Sequence, residues 1–221
     1  ETLGQTVAST FDTKNYGSSK TVTVNSITLA DGTNGGLVAN YSISPGQTTT
    51  AHISKKLLTV SSISASNKTY DGNNTATSTI SLSGFIGSET LTSSNLSSFN
   101  NKNVGTGKTV TVNSITLANG TNGGLAANYS VATGQTTTAN ITAKALSVTG
   151  ITASNKIYDS NAVATLDTTS LAYNGIVAGD DFTGTYSGVF ADANVGTNKT
   201  VTITSTYSGA DVGNYSVTDH V

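Results

Sequence analysis

The chain repeats itself, and the length of the repeat limits what it can fold into. The segment Thr21–Ser42 (TVTVNSITLADGTNGGLVANYS) returns as Thr109–Ser130 (TVTVNSITLANGTNGGLAANYS), an offset of 88 residues. The register holds from Glu1/Glu89 through Phe11/Phe99, Tyr41/Tyr129, Ile53/Ile141 and Leu58/Leu146. It continues into the match of Ser62–Gly72 with Gly150–Ser160. A third copy drifts: VGTGKTVTV from Val104 becomes VGTNKTVTI from Val195, and Asn128-Tyr-Ser-Val becomes Asn214-Tyr-Ser-Val. A unit of this size exceeds the roughly 20–45 residues of a solenoid turn and suits a small self-contained β-domain. The frames fall at 1–56 (the later part of one repeat), 57–145 (a full repeat) and 146–221 (a repeat without the Gln-Thr-Thr-Thr strand).

Inside a unit the apolar residues alternate, as a half-buried strand requires. Leu58/Val60, Leu146/Val148, Val22/Val24 and Val110/Val112 follow this period. The phase then jumps by three, from Val24 to Ile27 and from Val112 to Ile115. A period of two cannot absorb that step, so it predicts a β-bulge at Asn25-Ser26 and at Asn113-Ser114. Asp31-Gly32 and Asn119-Gly120 read as hairpin-turn dipeptides. Asn40–Ile43 resumes a strand, and Gln47–Thr50 and its copy from Gln135 lead into the last one. The Ser/Asn-rich run Leu91–Phe99 holds at most one turn of helix. The class is all-β: tandem small domains, each an immunoglobulin-like sandwich or a β-grasp-like unit, in an elongated array. With only 6% aromatic residues, each core rests on Val, Ile and Leu, and an isolated unit gains from stacking on its neighbours.

Composition closes off several functions. Charged residues are only 10% of the chain, every basic residue is Lys, and the net charge is -2. Nucleic-acid binding needs a basic stripe, usually with Arg for bidentate contacts. Membrane-surface binding needs a polybasic cluster, and insertion needs a run of about 20 apolar residues; the sequence has neither. There is no Cys, Met or Trp, which removes disulfides, thiolate metal sites and Cys nucleophiles. Ser and Thr fill 70 positions and Asn 22, so the Asn-x-Ser/Thr sequons are about as many as chance gives and do not argue for glycosylation.

The residues Ser66–Gly72 (SNKTYDG), followed by a neutral strand and VGTGKTVTV, resemble the YDG-type repeat of very large secreted haemagglutinin-like bacterial adhesins, which often carry related MBG-type repeats. The strongest motif is Lys68-Thr-Tyr70-Asp71-Gly72, matched by Lys156, Tyr158 and Asp159 in the next copy. Ser160 stands where glycine is expected, which puts a positive-φ turn there in question. The resemblance implies a stalk or spacer module, exported to the bacterial surface, with no catalytic residue.

Candidate sites are few. The Lys-x-Tyr-Asp cluster reads as a strand end closed by an Asx turn; its chemical alternative is an isopeptide bond from Lys68 to Asn140. Asp180, Asp181 and Asp192 are the only carboxylates dense enough to consider for calcium, and no EF-hand spacing accompanies them. His52 and His220 are unpaired and non-equivalent, which argues against zinc. No Gly-x-Ser-x-Gly elbow accompanies the abundant Ser, so an enzyme is not expected and no cofactor is implied. The leading expectation is a structural module of a surface adhesin or filament, such as those of biofilms, whose partners are neighbouring repeats or another copy joined by strand addition. A glycan- or surface-binding module is the alternative, and a hydrolase ranks last.

Overall fold

The computed structural model describes residues 1–219. Every long element is a strand, as the Thr-, Val- and Ile-rich alternation requires. The first frame holds β1 (Gly4–Phe11), β2 (Gly17–Ala30) and β3 (Thr48–Ile53). The second holds β4 (Lys56–Ala65), β5 (Lys68–Thr69), β6 (Thr75–Ala76), β7 (Ser78–Ser83), β8 (Leu91–Phe99), β9 (Gly105–Asn119), β10 (Tyr129–Val131) and β11 (Thr136–Thr142). The third holds β12 (Lys144–Thr149), β13 (Thr152–Ala153), β14 (Val163–Ala164), β15 (Leu166–Asp167), β16 (Ala172–Asn174), β17 (Thr183–Phe190), β18 (Val201–Ser208) and β19 (Tyr215–Thr218). The run Leu91–Phe99, where sequence allowed one helical turn, is strand throughout. Its polar side chains are spent sideways instead: Asn95 Nδ2 donates to Ser78 Oγ at 2.5 Å and to Ser97 Oγ at 3.2 Å.

The chain packs as two compact units, and neither coincides with a sequence repeat. The first comprises Glu1–Ser61, Ser81–Ser94 and Ile115–Ala132; the second comprises Ser62–Ile80, Asn95–Ser114 and the chain from Thr133 onward. Each unit therefore joins parts of two successive copies.

In the first unit β1, β2 and β3 form an antiparallel sheet in that order. The expected bulge is present: Ala8 pairs with Ser26 and Ser9 with Val24, leaving Asn25 as the extra residue. Asn25 Nδ2 donates to Thr10 Oγ1 at 2.9 Å, which returns the displaced side chain to the ladder. The dipeptide Asp31-Gly32 is not a hairpin turn. The left-handed residues are Asn34 (φ 54°) and Gly35 (φ 84°), and residues 31–47 form a long connection before β3. Asp31 Oδ1 caps the loop by accepting from Val38 N at 2.7 Å. Gly32 serves close approach, since a Cβ there would lie 2.0 Å from the Thr2 carbonyl oxygen. Asn119 repeats the cap on Ala126 N at 2.9 Å, and Asn122 and Gly123 repeat the left-handed pair.

In the second unit the main sheet runs β5-β11-β9-β8-β6. Strand β11 is antiparallel to β9 and parallel to β5. The third copy contributes the smaller sheets β16-β12-β19 and β14-β17-β18. One apolar core runs through both copies: Tyr70, Phe99, Val110, Ala139 and Ile141 of the 57–145 repeat cluster with Leu146, Val148, Ile151, Phe182 and Tyr215 of the next. Burial of eight large side chains in the chain is essentially complete, each contributing about 1.5–3 kcal/mol.

Candidate functional site

The most highly built polar site in the molecule lies where one copy meets the next, and it occurs twice. A one-turn 3-10 helix precedes it each time, at Ala126–Asn128 and at Val212–Asn214. The turn ends in Asn-Tyr, and the tyrosine returns at once to extended backbone. This places an amide and a phenol side by side, facing the loop of the preceding copy.

In the second unit that loop is Lys102-Asn103-Val104, between β8 and β9. Asn214 Oδ1 accepts from Val104 N at 2.9 Å, and Asn214 Nδ2 donates to Asn103 Oδ1 at 3.4 Å. The Tyr215 hydroxyl donates to Asp180 and accepts from Val177 N at 2.9 Å. Asp180 also accepts from Tyr70 at 2.9 Å and pairs with Lys102 at 3.1 Å. Lys102 reaches Asp211 as well, at 3.0 Å. The Tyr70 and Tyr215 rings meet edge to face at 5.6 Å, and Tyr215 meets Phe182 at the same distance.

In the first unit the loop is Lys14-Asn15-Tyr16, between β1 and β2. Asn128 Oδ1 accepts from Tyr16 N at 2.8 Å, and Asn128 Nδ2 donates to Asn15 Oδ1 at 3.0 Å. Tyr129 donates to Glu89 at 2.6 Å and accepts from Ile86 N at 3.1 Å. Lys14 pairs with Glu89 at 2.9 Å, and Phe85 stands edge to face with Tyr129 at 5.9 Å. The two joints thus share five bonds, with Glu in one and Asp in the other, and the second adds those of Tyr70 to Asp180 and of Lys102 to Asp211.

Burial sets their strengths apart. Asp180 is 3% exposed against 11% for Glu89, and Lys102 is 37% exposed against 71% for Lys14. Burial alone pushes the Asp180 carboxyl up, but hydrogen bonds from Tyr215, Tyr70 and Lys102 outweigh it and hold its pKa below the usual value. The cost falls on the phenols: burial, then the hydrogen bond to Asp180, pushes Tyr215 up to about 12, and burial leads the rise at Tyr70. Lys102 is raised by Asp211, Tyr70 and Asp180. A carboxylate holding phenol and ammonium donors is a cross-brace.

The Lys-x-Tyr-Asp motif has a different job. Lys68 Nζ folds back on its own turn, 2.6 Å from Asp71, and donates to Asn73 O, Asn73 Oδ1 and Thr75 O. Lys156 repeats this with Asp159, Asn161 and Val163 O. Lys68 Nζ is spent on this turn, while Asn140, next to the Ile141 that pairs with Lys68, donates its backbone N to Asn67 Oδ1 at 2.7 Å and accepts from Gly107 N through Oδ1 at 2.8 Å. Gly72 has φ 81°, and a Cβ there would lie 2.7 Å from Val177 Cγ1 of the next copy. Ser160, where sequence put a left-handed turn in question, adopts one all the same, with φ 63°. Its turn is enforced by the same lysine bonds, and Ser160 Oγ donates to the Asp159 carbonyl at 2.6 Å.

The three aspartates weighed for calcium are held by the protein. Asp180 is in the joint, Asp181 Oδ2 accepts from Ala210 N at 2.9 Å, and Asp192 pairs with Lys199. Among the described residues no three His, Asp or Glu side chains come together as a metal site. His52 Nδ1 accepts from Ser19 N at 3.3 Å; His220 lies outside the described residues. Sequence reasoning named Tyr70 and Asp180 for other reasons and did not connect them with Lys102, Asn214 or Tyr215. The joint's signal was the Lys-Asn pair at Lys14 and Lys102 and the Asn-Tyr pair in all three copies, at Asn40, Asn128 and Asn214.

No curated protein and no solved structure matches the chain. The family model of the YDG domain matches residues 54–139 and again 142–221. Those matches cover most of the sequence and both copies of the Lys-x-Tyr-Asp turn, so the chain belongs to the YDG domain family.

Proposed function

We propose that this chain is a non-catalytic structural module that holds successive repeats in a fixed register, within an exported stalk or filament of a bacterial surface adhesin. One observation carries the reading: a common set of bonds, Asn amide to loop backbone and Tyr hydroxyl to carboxylate, recurs at both boundaries between copies, although its residues lie far apart in sequence. Polar groups at these positions satisfy each other across the boundary, which suits a joint that must not swivel. Low charge and the absence of Cys and Met agree with an oxidising exterior. No helix among the described residues is long and apolar enough to cross a membrane. The parallel pairings of β10 with β4, β5 with β11 and β12 with β19 favour a β-grasp-like unit over a purely antiparallel sandwich.

Single-molecule extension of the full chain between its ends tests this reading. A stalk module gives force peaks whose contour lengths span parts of two repeats, matching the packed units, and the peaks weaken when Asn128 or Asn214 is changed to Ala. Featureless extension at low force argues against a mechanical role. Glycan binding is the alternative partner class, and clear, saturable hits on a glycan array favour it over the stalk.

A further inference from the structure

In the second unit the turn Lys68–Gly72 of one copy meets the loop that carries Val177 of the next, and the contact has no slack. A Cβ added at Gly72 would lie 2.7 Å from Val177 Cγ1, well inside the roughly 3.5–4.0 Å at which carbon atoms pack. Neither side can retreat. On the turn, Tyr70 N donates to Thr142 O at 2.8 Å, the Tyr70 hydroxyl donates to Asp180, and Lys68 Nζ ties Asp71 and Asn73. On the loop, Val177 N donates to the Tyr215 oxygen at 2.9 Å and Val177 O accepts from Asp180 N at 3.2 Å. Val177 is β-branched, so its χ1 has little freedom to turn the methyl aside.

Both positions occur twice in the chain. The joint of the first unit has Ile86 where the second has Val177, and it is pinned in the same way. Ile86 N donates to the Tyr129 oxygen at 3.1 Å, and Ile86 O accepts from Glu89 N at 3.0 Å. Each joint therefore presents a β-branched side chain. The turns differ: Gly72 stands in one and Ser160 in the other. Their backbones match, with φ 81° at Gly72 and 63° at Ser160. Asn73 N and Asn161 N each donate to the aspartate two residues before, at 3.2 Å, and Lys156 holds Asp159 as Lys68 holds Asp71. Ser160 thus carries a Cβ, and an Oγ beyond it, in the direction that Gly72 leaves open. A turn of that shape fits neither Ile86 nor Val177.

We infer that these two positions form a size code that decides which repeat docks on which. A glycine turn takes a joint with a β-branched residue, as Gly72 takes Val177. A serine turn, as at Ser160, takes a repeat of another kind, with Ala or Gly at the position of Val177. The inference rests on the reading that repeats are held in register through the joints, and it adds selectivity to that reading. The need for selectivity is physical. Thr21–Ser42 and Thr109–Ser130 are nearly identical, and misassembly between domains is a characteristic failure of repeat proteins. A clash that rejects the wrong neighbour discriminates as well as a contact that favours the right one.

A double-mutant cycle on the full chain tests the code, with urea unfolding of Gly72→Ser, Val177→Ala and the two together. The strain of a serine at positive φ is the same with either residue at 177, so it cancels from the cycle. In the wild-type background Val177→Ala is expected to lower the folding equilibrium constant, because it opens a cavity. In the Gly72→Ser background the same change is expected to raise it, by ~10-fold. Should Gly72→Ser alone fail to fold, recovery of folding in the double variant is the same result. No rise in the Gly72→Ser background overturns the size code, and so does a double variant that stays unfolded. Either outcome leaves the joint itself standing, since that is judged separately by hydrogen exchange in Tyr215→Ala.

Discussion

The hydroxyl of Tyr215 donates to the carboxylate of Asp180 while its oxygen accepts from the Val177 amide, so one phenol fixes a buried charge and a backbone donor together. Removing that hydroxyl leaves the amide unpaired and the carboxylate one donor short. Tyr215→Phe is expected to destabilise the second unit by about 1–3 kcal/mol in urea unfolding. Tyr129→Phe, whose acceptor Glu89 is more exposed, is expected to cost less.

The two lysines of the joints differ in the same sense. Lys14 is mostly in solvent, and exposed pairs contribute about 0–1 kcal/mol; Lys14→Ala is expected to fall in that range. Lys102→Ala leaves Asp180 buried beside Asp211 without its cation, and is expected to cost more than Lys14→Ala does. Chemical denaturation of the two variants side by side reads the difference.

The joint carries its own pH profile. Asp180 and Asp211 lie below their ordinary values, so their contribution is present above about pH 4 and is lost as pH falls through the depressed folded values. Tyr70 and Tyr215 are raised, so theirs is present below about pH 10 and is lost as pH rises toward the folded values, about 12 for Tyr215. Thermal midpoints are expected to be flat between those limits and to fall on both sides. In Tyr215→Phe the alkaline fall is expected to be shallower.

The left-handed turns give a paired test. Ser160 holds φ 63° with a Cβ, a conformation that costs a non-glycine residue about 1–2 kcal/mol. Ser160→Gly is expected to raise stability by about 1 kcal/mol, reduced by the greater freedom of glycine in the unfolded chain. Gly72→Ser is expected to lower stability by at least ~2 kcal/mol, because the strain is joined by overlap with Val177. Differential scanning calorimetry of the two variants decides it.

Much of the strand pattern was legible, because period-two alternation is local. The bulge at Asn25 followed from a phase jump that no regular strand tolerates. Asp31-Gly32 misled because the dipeptide has two physical uses. Here Asp31 caps a loop and Gly32 admits the Thr2 backbone, while the positive φ falls three residues later, at Asn34. Lys68 reads from sequence as part of a strand end closed by an Asx turn, and the structure spends it on its own turn, where Asp71 Oδ1 also accepts from Asn73 N. The joint escaped because Lys102 and Asp180 are 78 residues apart and no short spacing links them. Only the recurrence of Lys-Asn and Asn-Tyr across copies marked them.

The central claim is that successive copies are fused into common units through the joint. Hydrogen exchange on Tyr215→Ala tests it most directly, read at Val110 and Ile141, which belong to the preceding repeat and share its core. The account expects protection at both amides to fall together with that of β12 and β19, by at least ~10-fold. Unchanged protection at Val110 and Ile141, with loss confined to residues 146–219, would show that the repeats fold independently and contradict it.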